Sequence, residues 1–325
     1  MKKRANVVDS PKKNGMNGVT EQPESTVLAS LARRPTRRDK GNIGSKISAN
    51  QATPVATSDS VIVSWDARGD QGGLPEFLSF LDASLVQHGR TAAALWGMTT
   101  VDMHRRTAMT NADLQRVIAN LPGYDLYVCS PAPELEALHP NLWTHLQVAI
   151  PKFQPALRAA FKTLRWDAGY LTELQPSVAF STSHYYIGSS KFWVRYLKFL
   201  RDTTSTISDQ APRSTVRFLD QLTKASSPVA ASHWSLFIDR LLPIFLRLNP
   251  SGLKVARIPI SAAEQKMNTH LRKLREMKDV AHRTKSQWMA SCWLHYRNTY
   301  LLNVAGREWC QRNLPLMTPS SIRFY

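Results

Sequence analysis

Three stretches of the chain combine residue types that can do chemistry. The first follows the apolar run Val61-Ile62-Val63-Ser64-Trp65 and reads Asp66-Ala67-Arg68-Gly69-Asp70-Gln71-Gly72-Gly73. A glycine-containing loop between a strand and a helix is where open α/β sheets hold phosphates, because helix N–H groups favour anions. Asp66 can accept a hydrogen bond from a ribose or base and Arg68 can offset diphosphate charge, with Asp70 beside them as a further donor-binding candidate. The glycine spacing matches neither a P-loop nor GxGxxG, so an ordinary β–α turn is the alternative.

The second stretch runs from Ser181 to Trp193 and centres on His184-Tyr185-Tyr186-Ile187-Gly188. Aromatic faces pack against sugar C–H groups while hydroxyls and an imidazole supply hydrogen bonds, so His184, Tyr185 and Tyr186 are candidate sugar-donor contacts. A loop stitched down by buried aromatics is the structural alternative. The third is Asp239-Arg240, which can act as base and phosphate partner or form a solvated helix face. There is no GxSxG elbow, HExxH, Walker motif or Cys/His set with metal spacing. His139 and His145 are six apart and share no helical face.

These candidates need elements to position them. Val61–Trp65 reads as a buried strand, Pro75–His88 as a helix and Ala92–Trp96 as a strand. Asn111–Leu121 reads as a helix capped by Asn111, and Tyr124–Cys129 as another strand. This alternation predicts a parallel sheet. Helices are expected over Pro133–Val148, Pro155–Trp166, Lys191–Arg201 and Ser232–Leu248, the last kinked at Pro243. Lys254–Ile260 is a short apolar run. Ala262–Arg283 and Ser286–Leu302 are the expected final helices, with Lys266, Arg272, Lys273, Arg275 and Lys278 along the first and Met267, His270, Leu271 and Leu274 opposite.

The net charge of +18 is unevenly placed. Residues 1–58 carry 11 Lys/Arg and 4 Asp/Glu, and residues 251–325 carry 13 and 4, which leaves a near-neutral middle. Basic ends around an ordinary core suit contact with an anionic membrane surface, contact with nucleic acid, or solubility. Hydrophobic residues at 43% support a sizeable core and exclude general disorder. Three cysteines, Cys129, Cys292 and Cys310, form no disulfide framework and point to a reducing compartment. No apolar run follows Met1-Lys2-Lys3-Arg4, and no helix is apolar enough to span a bilayer, so the expectation is a cytoplasmic protein, peripheral at the inner face of the membrane.

Three segments in order resemble bacterial glycosyltransferase-like proteins of polysaccharide biosynthesis. They are Tyr124-Asp125-Leu126-Tyr127-Val128 followed by His139-Pro140-Asn141-Leu142-Trp143; His184 to Trp193 continuing to Tyr196 and Phe199; and Asp239-Arg240-Leu241-Leu242 leading to Leu248-Asn249-Pro250. The resemblance spans roughly residues 60–260. It implies an α/β fold of the GT-A type, with a small, mostly parallel sheet and flanking helices, that binds a nucleotide-sugar. The expected organisation is a disordered basic arm (1–58), this core (59–260) and a basic helical extension (261–325).

Such proteins hold a divalent metal on the sugar diphosphate through a DxD motif, whereas this chain has Cys129-Ser130-Pro131 after the corresponding strand and no DxD. Transfer without metal, helped by Arg and helix dipoles, or loss of activity are the two consequences. Asp239 stands where the resemblance places an acidic residue and is the candidate catalytic group, with Arg240 beside it. The leading expectation is sugar transfer from a nucleotide-sugar to an envelope glycan or lipid-linked acceptor. The alternatives are a nucleic-acid-binding or assembly protein that stacks bases on Trp288, Trp293 and Tyr296, and an inactive transferase-like scaffold.

Overall fold

The computed structural model describes residues 60–65, 74–88, 95–100, 107–181, 185–222, 232–249, 252–260, 264–265, 267–314 and 321–324. The expected arm at 1–58, and with it Asp66, Arg68, Asp70 and His184, lies outside these residues.

A five-stranded sheet runs in the order β1-β2-β5-β3-β6, formed by β1 (Ser60–Trp65), β2 (Leu95–Thr100), β3 (Leu126–Cys129), β5 (Tyr186–Ser189) and β6 (Val255–Ile258). β4 (Glu173–Leu174) and β7 (Arg323–Phe324) form a separate parallel pair. β1 is parallel to β2 and β3 to β6, but β5 sits in the middle and is antiparallel to both of its neighbours. The expected mostly parallel GT-A-like sheet is therefore wrong. The sheet is mixed, and helices make up most of the fold.

The error has a physical source in β5. Its residues mix Tyr, Ile, Gly and Ser, which reads as an aromatic loop rather than as an apolar run. Alternation places Tyr186 on one face with Val128 and Trp96, and Tyr185 and Ile187 on the other with Tyr127 and Cys129. Gly188 is a requirement of packing: a Cβ there would lie 2.4 Å from the Phe192 ring. The missing side chain lets α6 (Ser190–Gln210) start immediately after the strand with its aromatic row laid on the sheet. Ser189 caps that helix by accepting from Phe192 N–H. Trp193 stacks on Trp96 at 4.4 Å and donates its indole N–H to the Trp96 carbonyl.

The larger face carries α1 (Leu74–His88), α4 (Leu142–Ala149), α5 (Phe153–Thr163), α6, α8 (His233–Ile238) and α9 (Leu242–Leu248), whose buried side chains form one cluster with Trp96 and Val128. The opposite face is covered by Leu114 and Ile118 of α2 (Asn111–Asn120). Thr110, rather than Asn111, caps α2, in a capping box with Asp113. Between the helices of the larger face, α7 (Arg213–Leu219) follows α6.

Two helices expected to be continuous are broken. The span 133–148 divides into α3 (Pro133–Leu138) and α4, because Pro140 disfavours helical backbone at His139 and Asn141 starts a new helix by accepting from Thr144 N–H at 2.7 Å. The buried Asn141 amide also donates to the carbonyls of Leu171 and Glu173, which ties the 3-10 turn Ala168–Leu171 and β4 to the core. The span 232–248 divides at Asp239–Leu241, where Pro243 opens α9 within its first turn.

The C-terminal helices α10 (Thr269–Thr284), α11 (Gln287–Ala305) and α12 (Arg307–Asn313) include two that pack on the core. Three consecutive carbonyls at the end of α3 are each taken by a donor from this pair. Trp293 donates to Ala137 at 3.0 Å, Arg297 Nε to Leu138, and Lys278 Nζ to His139 at 3.1 Å. Cations at a helix C-terminus also oppose its macrodipole. Lys278, expected on a polar face, is fully buried and sits 4.7 Å above the Phe180 ring. Burial lowers its pKa to about 8 and that of Arg297 to about 10, so both remain mainly charged at neutral pH.

Candidate functional site

The strand registers decide which loops can meet. Trp65 pairs with Thr100, Tyr186 with Met98 and Val128, and Cys129 with Ile258. The carboxyl ends of β1, β2, β3 and β6 and the amino end of β5 therefore share one edge of the sheet. In open α/β sheets this is the edge where ligands bind. The two stretches singled out by composition join strands here, one after Trp65 and one before Tyr186.

Beyond β3 and β6 at this edge lies a network of charges. Glu136 of α3 is fully buried. Its Oε1 accepts from Arg257 of β6 at 3.1 and 3.3 Å, and its Oε2 faces Arg275 of α10 at 3.8 Å. Burial raises the Glu136 pKa, while the Arg257 guanidinium pulls it down. Glu264 bridges the same two arginines, accepting from Arg257 at 2.8 Å and Arg275 at 2.6 Å, and its pKa is lowered by these bonds despite partial burial. α10 is thus pinned across the end of β6.

One face of α10 borders a shallow, open hollow of about 400 Å³ lined by Arg272, Arg275, Glu276, Asp279, Val280 and Arg283. The lining residues recur at one helical face, and Arg272 and Arg283 are about 16 Å apart along the axis. Asp279 turns inward and accepts from the Ser177 backbone and hydroxyl, both at 2.9 Å. Glu276 pairs with exposed Lys273 at 3.4 Å. With Arg275 balanced by Glu264 and Glu136, Arg272 and Arg283 give this face its small positive excess, which suits an anionic ligand.

The remaining expected site residues lie behind this edge. Tyr185 and Tyr186 are buried in the sheet, so neither ring presents a face to a sugar. The Tyr186 hydroxyl donates to the Asp239 carbonyl at 3.5 Å, and burial raises its pKa strongly. Asp239 is half-buried at the end of α8. Arg240 is buried and donates to the carbonyls of Leu236 at 2.6 Å and Leu142 at 3.3 Å, joining α8 to α4. Burial lowers its pKa to about 10, so it stays charged. The structure brings Tyr186, Asp239 and Arg240 together, with Arg240 turned to backbone carbonyls.

His139 and His145 meet edge to face at 4.9 Å although six residues separate them, because the break at Pro140 turns α4 back towards the end of α3. Burial lowers both pKa values, His145 to about 3 with Arg240 adding to the effect, and His139 well below the usual range with His145, Arg297 and Lys278 adding. Cys129 is buried and its thiol is pushed up to about 12, which keeps it unreactive.

Sequence reasoning had marked Arg272 and Arg275 only as part of a basic helix face. Arg257, Glu136, Glu264 and Arg283 carried no signal, since their proximity depends on α10 folding back over β6. Comparison with protein-family models, with curated proteins and with solved structures finds no match to this chain.

Proposed function

We propose that this chain is a glycosyltransferase that moves a sugar from a nucleotide-sugar donor to an envelope glycan or lipid-linked acceptor. The observation that carries this reading is the arginine-lined hollow on α10 beside the carboxyl edge of the sheet, where the loops after β1 and before β5 also begin. In this reading Arg272, Arg275 and Arg283 hold the donor diphosphate, and Asp66, Arg68, Asp70 and His184 supply contacts to nucleoside and sugar. The acceptor hydroxyl forms the new bond to the anomeric carbon while the bond to the diphosphate breaks. Arginine charge stabilises the leaving nucleoside diphosphate. The acceptor proton passes to a carboxylate, for which Asp239 is the candidate.

Two facts weigh against base stacking as the main activity. Trp293 is fully buried with its indole N–H bonded to Ala137, and the Tyr296 hydroxyl is bonded to His270 at 2.7 Å. Of the three aromatics suited to stacking, Trp288 alone is largely exposed.

The test is a thermal-shift panel of UDP-, GDP-, CMP- and dTDP-sugars, with and without Mn²⁺. Selective stabilisation by one donor class supports the reading and defines any metal requirement. A flat panel removes it in favour of a scaffold.

A further inference from the structure

The turn between α10 and α11 lies beyond the hollow, and its composition differs from the rest of the surface. Lys285 adopts a left-handed conformation with φ 53°, which ends α10 and redirects the chain. Three residues later, in the first turn of α11, Trp288 is 71% exposed. The other tryptophans whose burial is described are buried or half-buried.

Cations collect around the turn. Lys285 lies 5.9 Å from the Phe324 ring of β7, and Gln287 donates to the Ile322 carbonyl, which places β7 against the turn. Arg323 of β7 reaches Asp167 at 3.9 Å. Glu173, paired with Arg323 in the β4–β7 ladder, is felt by Arg247, Lys285 and Arg323 together but is only 6% exposed. Arg247, Lys285 and Arg323 are all exposed. Partial burial lowers the pKa of Lys285, and the nearby Arg247 adds to the effect. Leu248, next to Arg247, is 43% exposed.

We propose that this tip docks the protein on an anionic membrane surface, with Trp288 entering the headgroup layer and Arg247, Lys285 and Arg323 meeting lipid phosphates. An exposed indole flanked by basic residues is the combination that seats proteins at the bilayer interface. A row of exposed aromatics, which single-stranded nucleic acid would need, is absent among the described residues here because Trp293 faces the core. No described helix is long and apolar enough to cross a membrane, so docking is the form of attachment this surface provides. The inference deepens the transferase reading, on which it rests for its biological sense. Arg283 of the hollow is two residues before Lys285, so docking brings the donor site to the bilayer where a lipid-linked acceptor resides.

The experiment is co-sedimentation of the full chain with vesicles of phosphatidylcholine, with and without phosphatidylglycerol. Wild type, Trp288→Ala and Arg247→Glu/Lys285→Glu are compared after each is shown to melt cooperatively. Wild type should bind only the phosphatidylglycerol vesicles. Trp288→Ala should weaken binding about tenfold, and the double reversal by more, since each basic residue contributes roughly fivefold near an anionic surface. Three results overturn the proposal: no binding by wild type, undiminished binding by both variants (which assigns attachment to the basic arm), or stronger binding of single-stranded DNA that both variants lose in parallel. Nucleotide-sugar stabilisation is measured without vesicles, so failure of docking and failure of the transferase reading are told apart.

Discussion

Acidification should unfold this protein through its histidine pair. His139 is 5% exposed, and His145 is half-buried with its Nδ1 sealed from solvent. Among the described residues, the charged groups facing them are cations: Lys278 and Arg297 act on His139, and Arg240 on His145. Both rings are therefore neutral in the fold, while in the unfolded chain each titrates near ~6.5. Below that value the unfolded state binds protons that the fold does not, so stability falls as pH falls. The loss continues towards the folded value, about 3 for His145. At pH 5 each ring costs about 2 kcal/mol, or about 4 kcal/mol for the pair, against a total of roughly 5–15 kcal/mol for a typical domain. Urea unfolding at a series of pH values from 5 to 8 measures this directly. His145→Leu should change the absolute stability and also halve the histidine part of the pH slope, from about 2.7 to about 1.4 kcal/mol per pH unit. A slope that is the same in wild type, His145→Leu and His139→Phe would refute the reasoning, whatever the variants do to stability at pH 8.

Two further perturbations probe the fold that positions the site. Gly188→Ala places a methyl group 2.4 Å from Phe192 between the sheet and α6, and should cost about 1–3 kcal/mol by overpacking, read as a lowered urea midpoint. Gly188→Ala combined with Phe192→Leu should recover part of that loss; no recovery would place the strain elsewhere. Glu136→Ala leaves Arg257 and Arg275 with Glu264 as their remaining carboxylate in a largely buried site, and should cost about 1–3 kcal/mol. Replacing Glu136 and Arg257 together should cost less than the sum of the two single replacements, and an additive loss would show that the two do not act as a pair.

The elements legible in the sequence were those with a strong local pattern. β1 and α2 follow from a β-branched run and from apolar residues at helical spacing, and their ends lie within a residue or two of expectation. β5 was hidden because its neighbours on both faces are distant in sequence and its glycine serves Phe192 rather than a turn. The buried cations were hidden for a similar reason. Lys278 falls on the same helical stripe as Leu271, Leu274 and Ala281, but a lysine there reads as polar until the end of α3 supplies the carbonyl that its ammonium meets. Composition singled out the loops after β1 and before β5, whose candidates Asp66, Arg68, Asp70 and His184 lie outside the described residues. The grouping of Arg272, Arg275 and Arg283 follows from helical spacing, but its place beside β6 could not be read, because it depends on Arg257 and Arg275 sharing Glu264 and Glu136.

The central claim is that Arg272, Arg275 and Arg283 form a nucleoside-diphosphate site. Isothermal titration of the matching nucleoside diphosphate into wild type and into Arg272→Ala/Arg283→Ala tests it most directly, since both substituted residues are exposed and Arg275 keeps its bonds to Glu264. The account predicts one site per chain in the wild type and at least tenfold weaker binding in the variant, as expected when two charged partners of a phosphate are removed. Equal affinity in both proteins, or no binding of any nucleoside diphosphate, would contradict it.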